Sequence, residues 1–438
     1  MRLRVRPVRR LEGRVDVPGD KSVSHRAALL GALARGRTEV TGFLEAEDCG
    51  RTLRAVQVLG AAVTRKGGGH YLIDGVGLAG LHECDDVVDC GNSGTTARLL
   101  LGVLAGQPFW TLLTGDASLR RRPMGRVAEP LARMGARFGG REEGRRMPLA
   151  VRGARPLRAL AYRTPVASAQ VKSALLLAGL WADGPVTVEE PAPSRDHTER
   201  MLRGFGADVR VDGLAVTLTQ GDELHGQTVA VPGDVSSAAF FLAAGLVVPE
   251  ARITLSHVGV NPTRTGLLDV LDAMGAGLTV TARPGDQGGE PVADLTVSRS
   301  GLRGAAVGGP LIPRLIDEVP ALAVVACLAA GTTVIRDAAE LRVKESDRLR
   351  ALAGELSRMG GRVAERPDGL EIQGGAGLTG AEVSSGGDHR IAMALVVAGL
   401  AARGETVVED TECIATSFPG FVEAVNRLAG GGAVAAEA

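Results

Sequence analysis

Aromatic rings are scarce in this chain: its 438 residues include two tryptophans, two tyrosines and eight phenylalanines. Proteins that hold single-stranded nucleic acid commonly stack bases on such rings, and the sequence offers no platform of that kind. Net charge is missing too, since 50 Lys and Arg balance 50 Asp and Glu. No global field draws the molecule to a polyanion or an acidic membrane, so any anion it binds must meet a local cluster of base. The five cysteines (Cys49, Cys84, Cys90, Cys327 and Cys413) are odd in number and show no CxxC spacing. They read as reduced thiols of a cytoplasmic protein, not as a disulfide framework or a zinc site. No apolar run reaches the length of a membrane span. The opening "MRLRVRPVRR" is basic but leads to no apolar stretch of the secretory type.

What the chain does have is glycine, alanine and leucine in a recurring order. Its length suggests two domains. One helix type returns six times with a polar head and an almost purely apolar body: "KSVSHRAALLGALARG", "GNSGTTARLLLGVLAG", "SAQVKSALLLAGLWADG", "DVSSAAFFLAAG", "DEVPALAVVACLAAG" and "GDHRIAMALVVAGLAARG". A β-branched run follows each, then a more amphipathic helix that often closes on glycine, as in "LRAVQVLGA" and "LLDVLDAMGA". The apolar helices suit full burial and the charged ones an outer layer. Glycine at the end of the second type can take the left-handed conformation that stops a helix. Six such units predict an α/β protein in two groups of three. The phrase Val-Pro-Gly-Asp occurs twice, from Val17 and from Val231, and marks the expected crossings between groups. The first domain is thus expected over residues 20–233 and the second over 1–19 plus 234–438, with hinges near 17–21 and 231–235. The glycine-rich tail "GGGAVAAEA" is expected to fray.

Helix N-termini attract anions through free N–H groups and the helix dipole. Several of the polar heads also carry base: Lys21 and Arg26 in the first, Lys172 in the third, His389 and Arg390 in the sixth. Arg120, Arg121 and Arg122, Arg195, and Arg342, Lys344 and Arg348 lie in polar connectors. Any one of these can serve as a solvated surface charge. Gathered in a neutral protein, they point to small, multiply charged anions, for which guanidinium groups offer paired hydrogen bonds. Asp317 and Glu318 open a helix, where Asp317 can act as a plain cap. Glu345 lies between Lys344 and Arg348, where a simple ion pair is the alternative to a proton shuttle.

At these residues the sequence resembles the enolpyruvyl transferases. The similarity runs over nearly the whole chain through "GDKSVSHRAAL", "GNSGTTARLL", "RRPMG", "SAQVKSALLLA", "SRDHTE", "IDEVPALA", "LRVKESDRL" and "GDHRIAMAL". The resemblance implies a two-domain inside-out α/β barrel, each domain three βαβαββ units around buried helices, which closes and expels water over its substrates. It implies transfer of the enolpyruvyl group of phosphoenolpyruvate to the 5-hydroxyl of shikimate 3-phosphate, with no metal or organic cofactor. Each substrate bears a carboxylate and a phosphate of roughly −1.5 to −2, so clustered base suits them. Carried over by position, Lys21, Ser22, Arg26, Ser168, Gln170, Arg195, Asp317 and Lys344 resemble the shikimate 3-phosphate contacts. Lys21, Gly94, Arg122, Gln170, Arg348 and Arg390 resemble those of phosphoenolpyruvate. Asp317, Glu345 and Lys21 are the implied catalytic groups. The expected partners are these two metabolites, with no nucleic acid or membrane, and a monomer is expected.

Three positions depart from the family pattern. Ala169 stands where many members have a second serine, Glu340 where others have Asn, and Thr416 where some have Lys. Gly94 leaves room beside phosphoenolpyruvate, so glyphosate is expected to compete there. Two rivals remain: a sister enzyme acting on UDP-N-acetylglucosamine, and a non-catalytic anion-binding relative. The sister typically carries a reactive cysteine in the loop matching "GDASLRRRPMG", where this chain has none. A non-catalytic relative would be expected to lose Asp317, Glu345 or Lys21, and all three are present.

Overall fold

The computed structural model describes residues 1–221, 223–283 and 289–437. The six apolar segments form the inner helices α1 (Lys21–Leu33), α2 (Gly94–Ala105), α3 (Ala169–Gly179), α4 (Val235–Val247), α5 (Val319–Leu328) and α6 (His389–Leu400). They are buried around nearly their whole circumference, as a helix without a polar stripe must be. Each leucine so buried contributes roughly 1.5–3 kcal/mol. Aspartate or serine side chains cap α1, α2, α4 and α6: Asp20, Ser93, Asp234 and Asp388 each accept from an N–H of the first turn. The cap positions of α3 and α5, Ser168 and Glu318, do not use their side chains in this way.

Two compact units result. An inserted unit takes Gly19–Val231 and, among the described residues, Gly289 and Glu290; a discontinuous unit takes Met1–Pro18, 232–283 and 291–437. Each unit has its own apolar core. Each holds three four-stranded sheets, and every sheet has one parallel pair at an edge followed by two antiparallel pairs. The six-fold repetition read in the sequence is therefore a repetition of sheets as well as helices.

The duplicated phrase has a topological reason. In the inserted unit the edge strand of the first sheet is Thr228–Ala230, parallel to Arg35–Thr41. In the discontinuous unit Arg10–Asp16 pairs in parallel with Glu250–Gly259. Val-Pro-Gly-Asp follows each of these edge strands and leads into an inner helix of the other unit, α1 or α4. A β-carbon on Gly19 would press on Gly42 and Val231, and one on Gly233 would lie 2.8 Å from Val17, so both turns are packed too closely for a side chain.

The outer helices end as expected: Gly60, Gly135, Gly206, Gly275, Gly360 and Gly430 all have positive φ. As far as Glu437 the tail does not fray; Ala438 lies outside the described residues. Val434–Glu437 is an edge strand, antiparallel to Arg2–Val5 with Arg2 opposite Glu437. Pairing buries Ala433 and Val434, and the Asn426 side chain bonds both backbone groups of Val434 at 2.8 Å. Main-chain pairing with the first strand supplies the order that the tail's own composition lacks. Among the described residues no helix is long and apolar enough to cross a membrane.

Candidate active site

In the inserted unit the heads of α1, α2 and α3 carry the expected residues. Lys21 is the first residue of α1, and its Nζ lies 3.0 Å from Asp48 Oδ2. Arg26, one turn on, is buried. Its Nε donates to Thr198 Oγ1 at 2.6 Å, one terminal nitrogen to Ser22 O at 2.9 Å and the other to Ser173 Oγ at 2.8 Å. Burial pulls this guanidinium down to about 10, against the upward pull of Glu199 and Asp20. Between them sits His25, whose Nδ1 meets Thr52 Oγ1 at 2.7 Å; Thr52 in turn meets Thr96 Oγ1 of α2 at 2.7 Å. Burial, Lys21 and Arg26 push His25 well below the usual imidazole range, which leaves it neutral at pH 7.

Gly94 is the first residue of α2. A β-carbon there would lie 3.0 Å from a terminal nitrogen of Arg98 and 3.2 Å from one of Arg122, so the missing side chain makes room for two guanidinium groups. Arg98 donates to Gln170 Oε1 at 2.6 Å and to Pro123 O at 3.3 Å, while Gln170 Nε2 donates to Thr95 Oγ1 at 3.2 Å. Arg122 is fixed by Asn92, at 2.5 Å from its side-chain oxygen and 3.3 Å from its carbonyl. Gly94, Arg122 and Gln170 thus share a patch with Arg98. Ser168 precedes α3 and its N–H donates to Glu190 Oε1 at 2.7 Å. Arg195 is half-buried just ahead of the outer helix His197–Gly204.

In the discontinuous unit the expected residues converge on Arg348. Its side chain is fully buried and ties three carboxylates: Asp388 Oδ2 at 2.8 Å, Glu345 Oε2 at 2.7 Å and Asp317 Oδ1 at 3.2 Å. Burial alone would lower the guanidinium, but Asp388, Glu345 and Asp317 outweigh it and raise it above its ordinary value. Lys344 Nζ lies 3.6 Å from Asp317 and 3.8 Å from Glu340. Arg390 donates to the Asp317 carbonyl at 2.9 Å, and its other terminal nitrogen is 4.0 Å from Oδ2. Asp317 is not a cap: it stands between the short helix Ile312–Leu315 and α5, with its carboxylate turned to base. Beneath it the buried Glu318 takes a hydrogen bond from Ser236 and faces Arg264 at 3.7 Å and Arg390 at 4.0 Å.

Sequence reasoning missed Asp48, Arg98, Glu190, Arg264 and Asp388, and noted Glu318 without a role. Two of these had a signal. Asp388 repeats the Gly-Asp head of α1 and α4, and Arg98 is a lone charge within an apolar helix body. The arginine-rich connectors divide in function. Arg342 is used up on Asp347 at 2.9 Å and Glu365 at 2.7 Å, whereas Arg120 and Arg121 are exposed. Among the described residues no group of acids, histidines and cysteines could hold a metal ion.

Two three-sheet α/β units, one with base gathered at its helix heads and the other with carboxylates held on a buried arginine, define an enzyme of the enolpyruvyl transferase class. The chain belongs to the EPSP synthase (3-phosphoshikimate 1-carboxyvinyltransferase) family, whose model matches residues 5–425. It is 57% identical over 428 residues to the 3-phosphoshikimate 1-carboxyvinyltransferase of Desulforudis audaxviator, covering 98% of this chain and 99% of that one. It is 56% identical to that of Gloeobacter violaceus, over 97% and 98% of the two chains. The solved EPSP synthase of Acinetobacter baumannii superposes with a TM-score of 0.89 at 43% identity over 100% of both chains. The enolpyruvyl transferase NikO of Streptomyces tendae, at 19% identity and a TM-score of 0.78, shares the fold.

Proposed function

We propose that the protein transfers the enolpyruvyl group of phosphoenolpyruvate to the 5-hydroxyl of shikimate 3-phosphate, releasing phosphate, with Asp317 and Glu345 moving the protons and Lys21 meeting the leaving group. The observation that carries the assignment of roles is the Arg348 hub. One buried guanidinium holds Asp317 and Glu345 by different nitrogens, at 3.2 and 2.7 Å, and so fixes two carboxylates side by side for separate tasks.

The reaction needs two protons handled in order. Glu345 delivers a proton to the methylene carbon of phosphoenolpyruvate, which becomes a methyl group. The shikimate hydroxyl oxygen then bonds to the neighbouring carbon while Asp317 takes the hydroxyl proton. In the tetrahedral adduct the methyl group returns a proton to Glu345, the bond from carbon to phosphate oxygen breaks, the enol ether forms, and the proton held by Asp317 leaves with the phosphate. Lys21, at the N-terminus of α1, meets charge growing on the departing phosphate with both its ammonium and the helix dipole. Shikimate 3-phosphate is assigned to Lys21, Ser22, Arg26, Ser168, Gln170, Arg195, Asp317 and Lys344. Phosphoenolpyruvate is assigned to Lys21, Gly94, Arg122, Gln170, Arg348 and Arg390. Arg26 already bonds protein groups through all three nitrogens, so its part is to hold Ser22 and the hydroxyls of Ser173 and Thr198 in place as much as to touch ligand. The reading further takes the protein as a cytoplasmic monomer.

The test is phosphate release from phosphoenolpyruvate by purified protein, with shikimate 3-phosphate and, separately, UDP-N-acetylglucosamine as acceptor. Release with the first alone is expected. Release with the second alone would assign the sister activity, and none with either would leave an anion-binding protein.

A further inference from the structure

Below the head of α3 lies a buried charge cluster that the reaction steps do not use. Glu190 follows the strand Val186–Glu189, and its backbone N–H donates to Leu214 O at 3.1 Å, so the sheet fixes its position. Its side chain makes three bonds. Oε1 accepts from the Ser168 N–H at 2.7 Å, while Oε2 accepts from Ser194 Oγ at 2.7 Å and lies 2.7 Å from Lys172 Nζ. Lys172 also reaches Glu199 Oε1 at 2.8 Å. All of Glu190, Lys172 and Glu199 are at least 96% buried.

A carboxylate so close to residues assigned to a phosphorylated substrate would repel it if left bare. Lys172 cancels that charge. Burial pulls the ammonium down, but Glu199 and Glu190 outweigh it and hold it protonated. Glu199 in turn faces Arg26, so two acids meet two bases. What remains of Glu190 is geometry. It ties the residue that opens α3 to the residue before Arg195, across the stiff stretch "PAP" at 191–193.

We infer that Glu190 is a positioning residue for shikimate 3-phosphate, holding Ser168 on one oxygen and the Ser194–Arg195 segment on the other. This rests on the proposed function and names the part of its site that sets affinity for one substrate only.

The experiment uses the full chain with three variants, Glu190→Gln, Ser194→Ala and the double variant. KM is measured separately for each substrate, and shikimate 3-phosphate is titrated alone by calorimetry. Wild-type turnover checks the proposed function, and the calorimetric arm does not depend on turnover. Glu190→Gln should raise KM and Kd for shikimate 3-phosphate about tenfold and move KM for phosphoenolpyruvate less than about twofold. Ser194→Ala, which removes one hydrogen bond to the carboxylate and no charge, should raise the same constants about threefold and remains informative if Glu190→Gln does not fold. The double variant should be no worse than Glu190→Gln, because the serine acts through that carboxylate. Unchanged affinity in Ser194→Ala, equal shifts for both substrates, or additive losses in the double variant would each overturn the inference. A wild-type protein that neither turns over nor binds shikimate 3-phosphate would remove both it and the function on which it rests.

Discussion

Two of the site's residues make opposite demands on their surroundings, one for space and one for charge. At Gly94 a methyl group would lie 3.0 and 3.2 Å from nitrogens of Arg98 and Arg122, which must each give by a few tenths of an ångström. Both are ends of flexible side chains, so Gly94→Ala should fold normally and lose ligand affinity instead. The expected result is a KM for phosphoenolpyruvate raised about tenfold and weaker inhibition by glyphosate, measured in competition. Unchanged inhibition would place glyphosate elsewhere. Asp388 demands charge. Burial raises its carboxyl, but Arg348 outweighs burial and holds it below the ordinary 3.8. With the folded value depressed, the stabilisation is present at pH above 3.8 and is lost as pH falls through the lower folded value. Asp388→Asn should cost about 3 kcal/mol at pH 7, because it leaves Arg348 short of the buried carboxylate that accepts from two of its nitrogens. Urea unfolding at a series of pH values should show that gap narrowing below pH 4. A gap independent of pH would mean that Asp388 matters only for shape.

Among the elements, glycines within helices differ in what a methyl group would meet. Gly102 of α2 faces the backbone of α3, and an added β-carbon would lie 2.8 Å from Ala174 Cα and collide with its carbonyl. Gly354, on the outer helix Arg348–Arg358, is exposed with nothing within 4 Å. Gly102→Ala should therefore destabilise by about 1–3 kcal/mol, and Gly354→Ala should stabilise by about 1 kcal/mol. Denaturant melts of the two variants check both signs. This scale is also where the sequence was most readable. An apolar helix with no polar stripe has to be buried, so α1 to α6 and their glycine-ended outer partners could be picked out without coordinates. The partners of the site were harder to see. Lys21 meets Asp48 across 27 residues and Arg98 meets Gln170 across 72, and no local pattern encodes such pairs. The order of the tail is hidden in the sequence for the same reason. Its order comes from strand Arg2–Val5, at the opposite end of the chain.

In the molecule as a whole, that pairing sets strands from the two ends of the sequence side by side. In the sixth sheet the order from the parallel edge is Glu382–Ser384, Thr406–Glu409, Arg2–Val5 and Val434–Glu437, so the first strand fills the place that a local hairpin strand fills in the other sheets. Arg2 lies opposite Glu437 in antiparallel register, and Arg4 pairs with both Glu437 and Glu405. A linker of about four glycine and serine residues can join the ends as an ordinary hairpin loop. New ends are best opened at Gly68, an exposed turn residue with φ of 60° where an added β-carbon would meet nothing within 4 Å. The permuted chain should fold and keep enolpyruvyl transfer within about twofold, since exposed turns tolerate new termini and no buried contact is cut. Deleting residues 434–438 should instead cost about 3 kcal/mol, through the buried Val434 and the backbone bonds of an edge strand. A tail that could be removed without loss of stability, or a permuted chain that failed to fold, would show that the two ends do not complete one sheet.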